Sequence, residues 1–339
     1  MRVFVTGGSG FIGSAVVRLL LERHYEVRVL VRKSSRLDNL INLPVKRVTG
    51  DLNDPESLVN AARSCQAIFH VAADYRLWVP NPVTLYQTNI QGTKNILQAA
   101  TLTGVERLVY TSSVATIGFT QDGSPADEDT PVAINQMIGH YKRSKFEAEQ
   151  AVLEWTQKGY GASVIVNPST PIGPRDIKPT PTGKMIWDAA TGRMPAYVDT
   201  GLNIVHVDDV ATGHLLAFDH GRIGQRYILG GTNLTLHQIL EQVSEFSGNR
   251  VPRLRLPIHG LMPVAYLAEA WGRWRGKEPR ITMDALRLAQ KHMFFSSAKA
   301  IRELGYQPRP VSEAFRDAVG WFLNQRPRPF SGIEQDSHS

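Results

Sequence analysis

Apolar positions along this chain fall into two alternating textures. Short runs of strand length occur at Arg2-Val3-Phe4-Val5-Thr6, Glu26 to Arg32, Val45 to Gly50, Ala67 to Ala73, Arg107 to Thr111 and Ala162 to Pro168. Between them, Ser14 to Leu21, the segment opened by Asp54-Pro55, Leu85 to Leu102 and Tyr141 to Trp155 carry helical spacing, and an Asp-Pro pair is a helix start. Strands separated by helices of this length predict an α/β fold, a doubly wound parallel sheet of about seven strands of the Rossmann kind.

The texture changes after the sixth run. From Pro168 to Pro195 the prolines and glycines are dense, which predicts an ordered loop region wrapping a site rather than regular elements. Leu202 to Ala217 and Arg226 to Gly231 read as a return to the sheet. The expected domains are therefore 1–170 with 202–231 for the Rossmann unit, and 171–201 with 232–325 for a smaller, mainly helical substrate lobe. A mobile tail is expected over 326–339. Within the lobe, Leu261, Met262, Val264, Leu267 and Trp271 give the 258–274 segment an apolar face that reads as core, with contact to a lipid-like substrate or a membrane surface as the alternative.

Composition narrows this little. Hydrophobic residues at 42% and charged ones at 20% describe an ordinary globular chain. The net charge of +7 suits anionic ligands such as phosphorylated cofactors, but the basic residues are scattered, which argues against nucleic acid. One cysteine, Cys65, fits a reducing compartment and a packing role at a helix-to-strand junction. A first strand at residue 2 or 3 leaves no room for a signal peptide, and no apolar run reaches membrane-spanning length, so a cytoplasmic location is expected. The histidines lack metal-ligand spacing, and no metal is expected.

Chemistry enters at Thr6-Gly7-Gly8-Ser9-Gly10-Phe11-Ile12-Gly13, which joins the first strand to the first helix. Gly7 allows the tight turn, Gly10 lets backbone approach a pyrophosphate, and Gly13 lets helix and strand close together; the helix start, with Phe11 and Ile12, offers free amides. This predicts a dinucleotide site. An NAD site usually carries an acid about 20 residues farther on. Here Arg32 stands at the end of the second strand with Ser34 and Arg36 beyond it, and guanidinium groups suit a 2′-phosphate, so NADP is favoured over NAD. Asp51 and Leu52, at the carboxyl end of the third strand, are expected to hold the adenine. Ala72 and Ala73 leave space for a flat ring, and Asp74 and Tyr75 begin a loop over the same mouth, where substrate is expected.

Tyr141 and Lys145 lie four apart in a helix and so share a face. An ammonium that near lowers the phenol pKa toward the useful range and also reaches the nicotinamide ribose. Ser113, ending the fifth strand, is placed to hold the same substrate oxygen, with Ser112 the adjacent candidate. The glycine turn, Tyr110-Thr111-Ser112-Ser113, Tyr141 to Lys145, His206 to Ala211 and Leu304 to Pro308 resemble the extended short-chain dehydrogenase/reductase family over nearly the whole chain. Phe69 to Trp78, Asn167 to Pro174 and Met293 to Ser297 resemble its subgroup of hopanoid-associated sugar epimerases. The resemblance puts the family's catalytic serine, tyrosine and lysine on Ser113, Tyr141 and Lys145. It implies cofactor contacts at Pro168 and Ser169, a substrate contact at Thr170, a small-molecule substrate and a homodimer, with Leu97, Ala100 and the Tyr141 helix as its candidate face. Asp208 and Asp209 are read as a helix cap.

Many nucleotide-sugar members carry an Arg-aromatic-x-Asn pattern where this chain has Val166-Asn167-Pro168-Ser169-Thr170. That departure, with Arg32, resembles the dihydroflavonol-reductase branch and implies carbonyl reduction. The alternatives are an epimerase or dehydratase with retained dinucleotide, and a non-catalytic dinucleotide sensor. A sensor is expected to have lost the tyrosine or the lysine, and both are present.

Overall fold

In the computed structural model, which describes residues 1–79, 81–120, 122–275, 279 and 282–324, the sheet grows outward from the first strand in both directions. β1 (Arg2–Thr6) leads through α1 (Phe11–Glu22) to β2 (Glu26–Val31) and on to β3 (Lys46–Thr49) on one side. After α2 (Pro55–Ala62), the chain crosses to the other side with β4 (Ala67–His70). α3 (Val83–Tyr86), a π-helical turn at Gln87–Gln91 and α4 (Gly92–Thr103) lead to β5 (Arg107–Thr111), and α5 (Gly139–Gln157) leads to β6 (Ser163–Pro168). With β10 (Arg226–Leu229) at one edge, the seven parallel strands take the order β10-β6-β5-β4-β1-β2-β3. The strand order reverses between β1 and β4, and in an open parallel sheet the ligand crevice lies at the carboxyl ends of such a pair.

Strand periodicity divides the core. Val3 and Val5 point to one side, into a cluster with Val16 and Leu20 of α1; Phe4 points to the other, toward Leu58 of α2, Ile96 of α4 and Val152 of α5. Each such fully buried aliphatic or aromatic side chain contributes about 1.5–3 kcal/mol, and covering both faces explains the strand-length apolar runs. Cys65 sits buried between α2 and β4, its thiol on the Ala61 carbonyl. Leu97 and Ala100 lie inside the second cluster, and Leu97 also lines an open groove between α4 and α5.

After β6 the chain departs from its sequence reading. The proline-rich stretch holds β7 (Thr170–Ile172), α6 (Pro181–Ala190) and β8 (Ala196–Val198). Pro181 stands at the start of α6, where its missing N–H has no intrahelical acceptor, and the Thr180 hydroxyl caps the Gly183 amide. β9 (Gly201–His206) joins a second sheet instead of the main one. The return to the Rossmann sheet is made by α7 (Val207–His220), packed on α1, and by β10 (Arg226–Leu229). β11 (Thr232–Thr235) pairs with β9, α8 (Leu236–Ser247) follows, and β12 (Leu254–Leu256) pairs with β8. The lobe continues with α9 (Ile258–Arg275), α10 (Met283–Ala289), β13 (His292–Met293) beside β9, α11 (Ala298–Leu304) and α12 (Val311–Asn324).

Two local expectations change. The N-cap of α7 is His206, whose Nδ1 accepts from the Asp208 amide, while Asp208 pairs with Arg175 and Asp209 with Arg309 at 2.8 Å. On α9, Ala265 is buried but Val264, Leu267 and Trp271 are exposed, so the apolar face of that helix is not core. The tail expected to be mobile, 326–339, lies outside the described residues.

Candidate active site

The glycine turn closes against the strand across the crevice. Gly7 has φ of 71°, a left-handed conformation, and a Cβ there would lie 2.6 Å from the Ala72 amide nitrogen; one at Gly13 would lie 2.1 Å from the Gly7 carbonyl oxygen. At Gly10 a Cβ would meet only the Gly7 carbonyl, at 3.2 Å, so the turn keeps an open side. Gly10 is also the N-cap of α1 and supplies no side-chain cap. The first-turn amides of Phe11, Ile12 and Gly13 have no intrahelical acceptor, an arrangement that fits a pyrophosphate. Farther along the mouth, the Ser112 and Ser169 hydroxyls are buried without a hydrogen-bond partner, which also fits a polar ligand.

The expected cofactor contacts ring this turn. Arg32 is exposed just past β2, its amide bonded to the Ser35 hydroxyl at 2.9 Å. Arg36, also exposed, is paired with Asp38 at 3.3 Å. Asp51 is half-buried and accepts from the Asn53 amide; Leu52 is buried, its carbonyl taking the Asn95 amide group at 2.7 Å. Ala72 and Ala73 are half-buried past β4, and Pro168 ends β6 with Ser169 held by the Leu229 carbonyl. Of the substrate candidates, Thr170 is half-buried on β7, and the Asp74 carboxylate pairs with Arg76. Tyr75 is exposed at the rim, and burial of its hydroxyl, with the charges of Asp176 and Asp74, pushes that phenol up to about 12.

Ser113 follows β5 and Tyr141 begins α5, and the Ser113 side chain lies near enough to the Tyr141 phenol to offset part of the rise that burial gives it. Lys145 is buried one turn along α5, with its ammonium on the Tyr110 hydroxyl at 2.9 Å and the Thr111 carbonyl at 2.8 Å. Burial pulls that ammonium down to about 7, and burial likewise raises the Tyr141 phenol, with Ser113 working the other way. The expected lowering of Tyr141 by Lys145 is therefore absent. Helix spacing put the two on one face, but the lysine reaches past the tyrosine to the strand beneath. Tyr141 is a phenol at neutral pH, which suits a proton donor.

Sequence reading missed the supports of this trio. Asn89, in the π-helical turn, donates to the Ser144 hydroxyl at 2.9 Å, and that hydroxyl donates to the Tyr141 carbonyl at 2.8 Å. The same side chain clasps the Asp74 amide at 2.7 Å and the Asp74 carbonyl at 2.9 Å. A buried relay then runs under the crevice. The Ala72 amide bonds to the Thr6 hydroxyl, which bonds to His70 Nδ1 at 2.7 Å; His70 Nε2 bonds to the Thr93 hydroxyl at 3.1 Å. Thr93 donates onward to the Asn89 carbonyl, so Nε2 carries the ring proton. Burial lowers His70 to about 3, which keeps it neutral. Beneath Ser113, Asn167 donates to the Ser113 carbonyl and to Glu149; the buried Glu149 also takes the Thr116 hydroxyl and pairs with Arg226 at 3.1 Å. A lone Asn or His in an apolar run gives no sequence signal of such a role. The helix-to-π switch at 87–91 has no glycine or proline that would announce it.

Residues 3–230 match the family model described as the NAD dependent epimerase/dehydratase family. The chain is 48% identical over 325 residues to a Synechocystis sp. protein that carries the provisional name dihydroflavonol 4-reductase, covering 95% of this chain and 94% of that one. It is 34% identical over 324 residues to sterol demethylase protein B of Methylococcus capsulatus, covering 95% and 98%. Among solved structures, that of gox2253 superimposes with a TM-score of 0.86 at 52% identity, covering 95% of this chain and 98% of that one.

Proposed function

We propose that this chain, which belongs to the NAD dependent epimerase/dehydratase family and is an NAD(P)-dependent enzyme of the extended short-chain dehydrogenase/reductase type, reduces a carbonyl compound to a secondary alcohol with NADPH. The observation that carries the reading is the meeting of Ser113, Tyr141 and Lys145 at the carboxyl end of β5, across the crevice from the glycine turn. A bound nicotinamide dinucleotide supplies the hydride. Ser113 holds the carbonyl oxygen, and Tyr141, as a neutral phenol, gives that oxygen its proton as negative charge develops there. Lys145, held by Tyr110 and Thr111, would hold the ribose of the bound dinucleotide. Gly7, Gly10 and Gly13 with the Phe11 and Ile12 amides receive the pyrophosphate, and Arg32 receives a 2′-phosphate, which favours NADP over NAD.

The similarity to a provisionally named dihydroflavonol 4-reductase and to a sterol demethylase component supports a bulky, largely apolar ketone as substrate. A homodimer through α4 and α5 belongs to the same reading. It is supported by the exposed Leu102 and Tyr160 beside an open groove of about 430 Å³, and sedimentation equilibrium tests it.

Net cofactor turnover tests the reaction. With a panel of ketones, aldehydes and nucleotide sugars, NADPH is expected to be consumed one for one with a ketone. Turnover of a nucleotide sugar without net change in the dinucleotide would make the chain an epimerase. Tyr141→Phe is expected to lose about 10²–10⁴-fold in kcat, and near-wild-type turnover by that variant would overturn the mechanism.

A further inference from the structure

We propose that Lys142, Lys291 and Phe119 form an anion-binding subsite beside the active site. The three come from both sides of the cleft. Lys142 follows Tyr141 directly on α5, Phe119 lies six residues past Ser113, and Lys291 immediately precedes β13 of the second sheet. Both ammonium groups stand 4.9 Å from the centroid of the Phe119 ring.

Lys142 is out of keeping with the other cations held in the fold. Lys142 is only 8% exposed, yet among the described residues no carboxylate, hydroxyl or carbonyl accepts from its ammonium, and none pairs with Lys291. Asp284, which α10 brings against Gly139 at the start of α5, is engaged with Arg287 at 3.3 Å. By contrast Arg226 has Glu149, Arg309 has Asp209, and Lys145 has two oxygen acceptors. Burial and the charge of Lys291 together draw Lys142 down to about 8. Two like charges sharing one ring, one of them on a buried side chain, are repulsive, and the ring face offsets only part of that cost. A third, anionic group resolves the repulsion, which a further apolar contact does not. Phe119 packs on Phe295 at 6.5 Å between ring centroids, so the subsite has an apolar floor and a cationic rim. The fitting ligand is a compact oxyanion, a carboxylate or phosphate, either free or carried at one end of the substrate. Only the second source rests on the oxidoreductase reading.

The test separates the two. Thermal unfolding of the full chain, saturated with NADPH so that the glycine turn and Arg32 are already occupied, is followed at pH 7 in sodium phosphate and in sodium chloride of equal ionic strength. Phosphate is expected to raise the wild-type Tm by about 2–4 °C over chloride, and Lys142→Met and Lys291→Met each to abolish that difference. Lys291 is exposed, so its variant keeps the test alive should Lys142→Met fail to fold. Equal Tm in the two salts, or a phosphate increment that survives both substitutions, would overturn the subsite without touching the reductase reading. For a matched pair of ketones differing by one carboxylate, Lys291→Met is expected to raise KM about tenfold for the charged member alone. Equal KM for both, with the phosphate increment lost, supports the subsite and assigns it to a free anion.

Discussion

The Lys145 ammonium lies 2.9 Å from the Tyr110 hydroxyl, so the lysine of the Tyr-x-x-x-Lys pair is anchored to β5 and not to the tyrosine four residues before it. Tyr110→Phe removes that acceptor while keeping the ring, about 1 kcal/mol of hydrogen bonding. The expected result is a three- to tenfold fall in kcat/KM with the fold intact, read by steady-state kinetics and circular dichroism. Kinetics equal to wild type would take Tyr110 out of the site.

Arg32 is the one exposed guanidinium just past the end of β2, and Arg36 behind it is engaged with Asp38. Arg32→Ala is therefore expected to weaken NADPH about tenfold while leaving NADH within twofold, since a charged hydrogen bond to the 2′-phosphate is lost and nothing on the ribose hydroxyls changes. Fluorescence titration with each dinucleotide measures both constants. An unchanged preference would end the phosphate argument.

Glu149 is fully buried and holds Arg226, Asn167 and Thr116 together beneath Ser113. Removing one member of a buried pair strands the other charge, so Glu149→Ala is expected to cost about 3–5 kcal/mol in urea unfolding. Glu149→Gln, which keeps an acceptor, should cost less. If both variants unfold at the wild-type midpoint, the network does not support the site.

Buried lysines give stability an unusual pH slope. Lys145 is drawn down to about 7 and Lys142 to about 8 in the folded chain, against about 10.4 when unfolded. Below pH 7 both states hold these protons; above it the unfolded chain holds more, so stability rises with pH through that window. Cys65, raised by burial from 9.0, opposes the trend once an unfolded thiol ionises. Urea midpoints at about pH 7 and 8.5 are expected to show a rise for wild type and a smaller one for Lys145→Met. Parallel slopes would mean that Lys145 keeps its charge when buried.

Buried histidines act at the acid end. His70 and His214 are held near 3 and 4 by burial, so from about pH 6.5 downward the unfolded chain takes up protons that the folded chain refuses, and stability falls. Asp176, raised to about 6, works in the opposite sense. His214→Gln is expected to flatten the loss between about pH 6.5 and 4.5, and an unchanged acid slope would refute the assignment.

The local rules of strand, glycine turn and helix were readable in order along the chain, because each is set by residues within a few positions. The apolar runs gave the seven-stranded sheet, and Gly7, Gly10 and Gly13 gave the turn. Where prolines were dense the same rules misread α6, since Pro181 begins a helix as readily as it breaks one. β9 shows the larger limit: its apolar pattern says strand, but nothing in 201–206 says which sheet it joins, a choice made by β7, β11 and β13 from distant parts of the chain. The site divides in the same way. Ser113, Tyr141 and Lys145 stand out by spacing, yet where an ammonium points is decided by the acceptors around it, and Tyr110, Thr93, His70 and Asn89 reach the crevice only through the parallel packing of β1, β4 and β5. Lys142 and Lys291, which have no carboxylate partner among the described residues, are 149 residues apart in sequence, and only the packing of the C-terminal lobe over α5 places them on one ring.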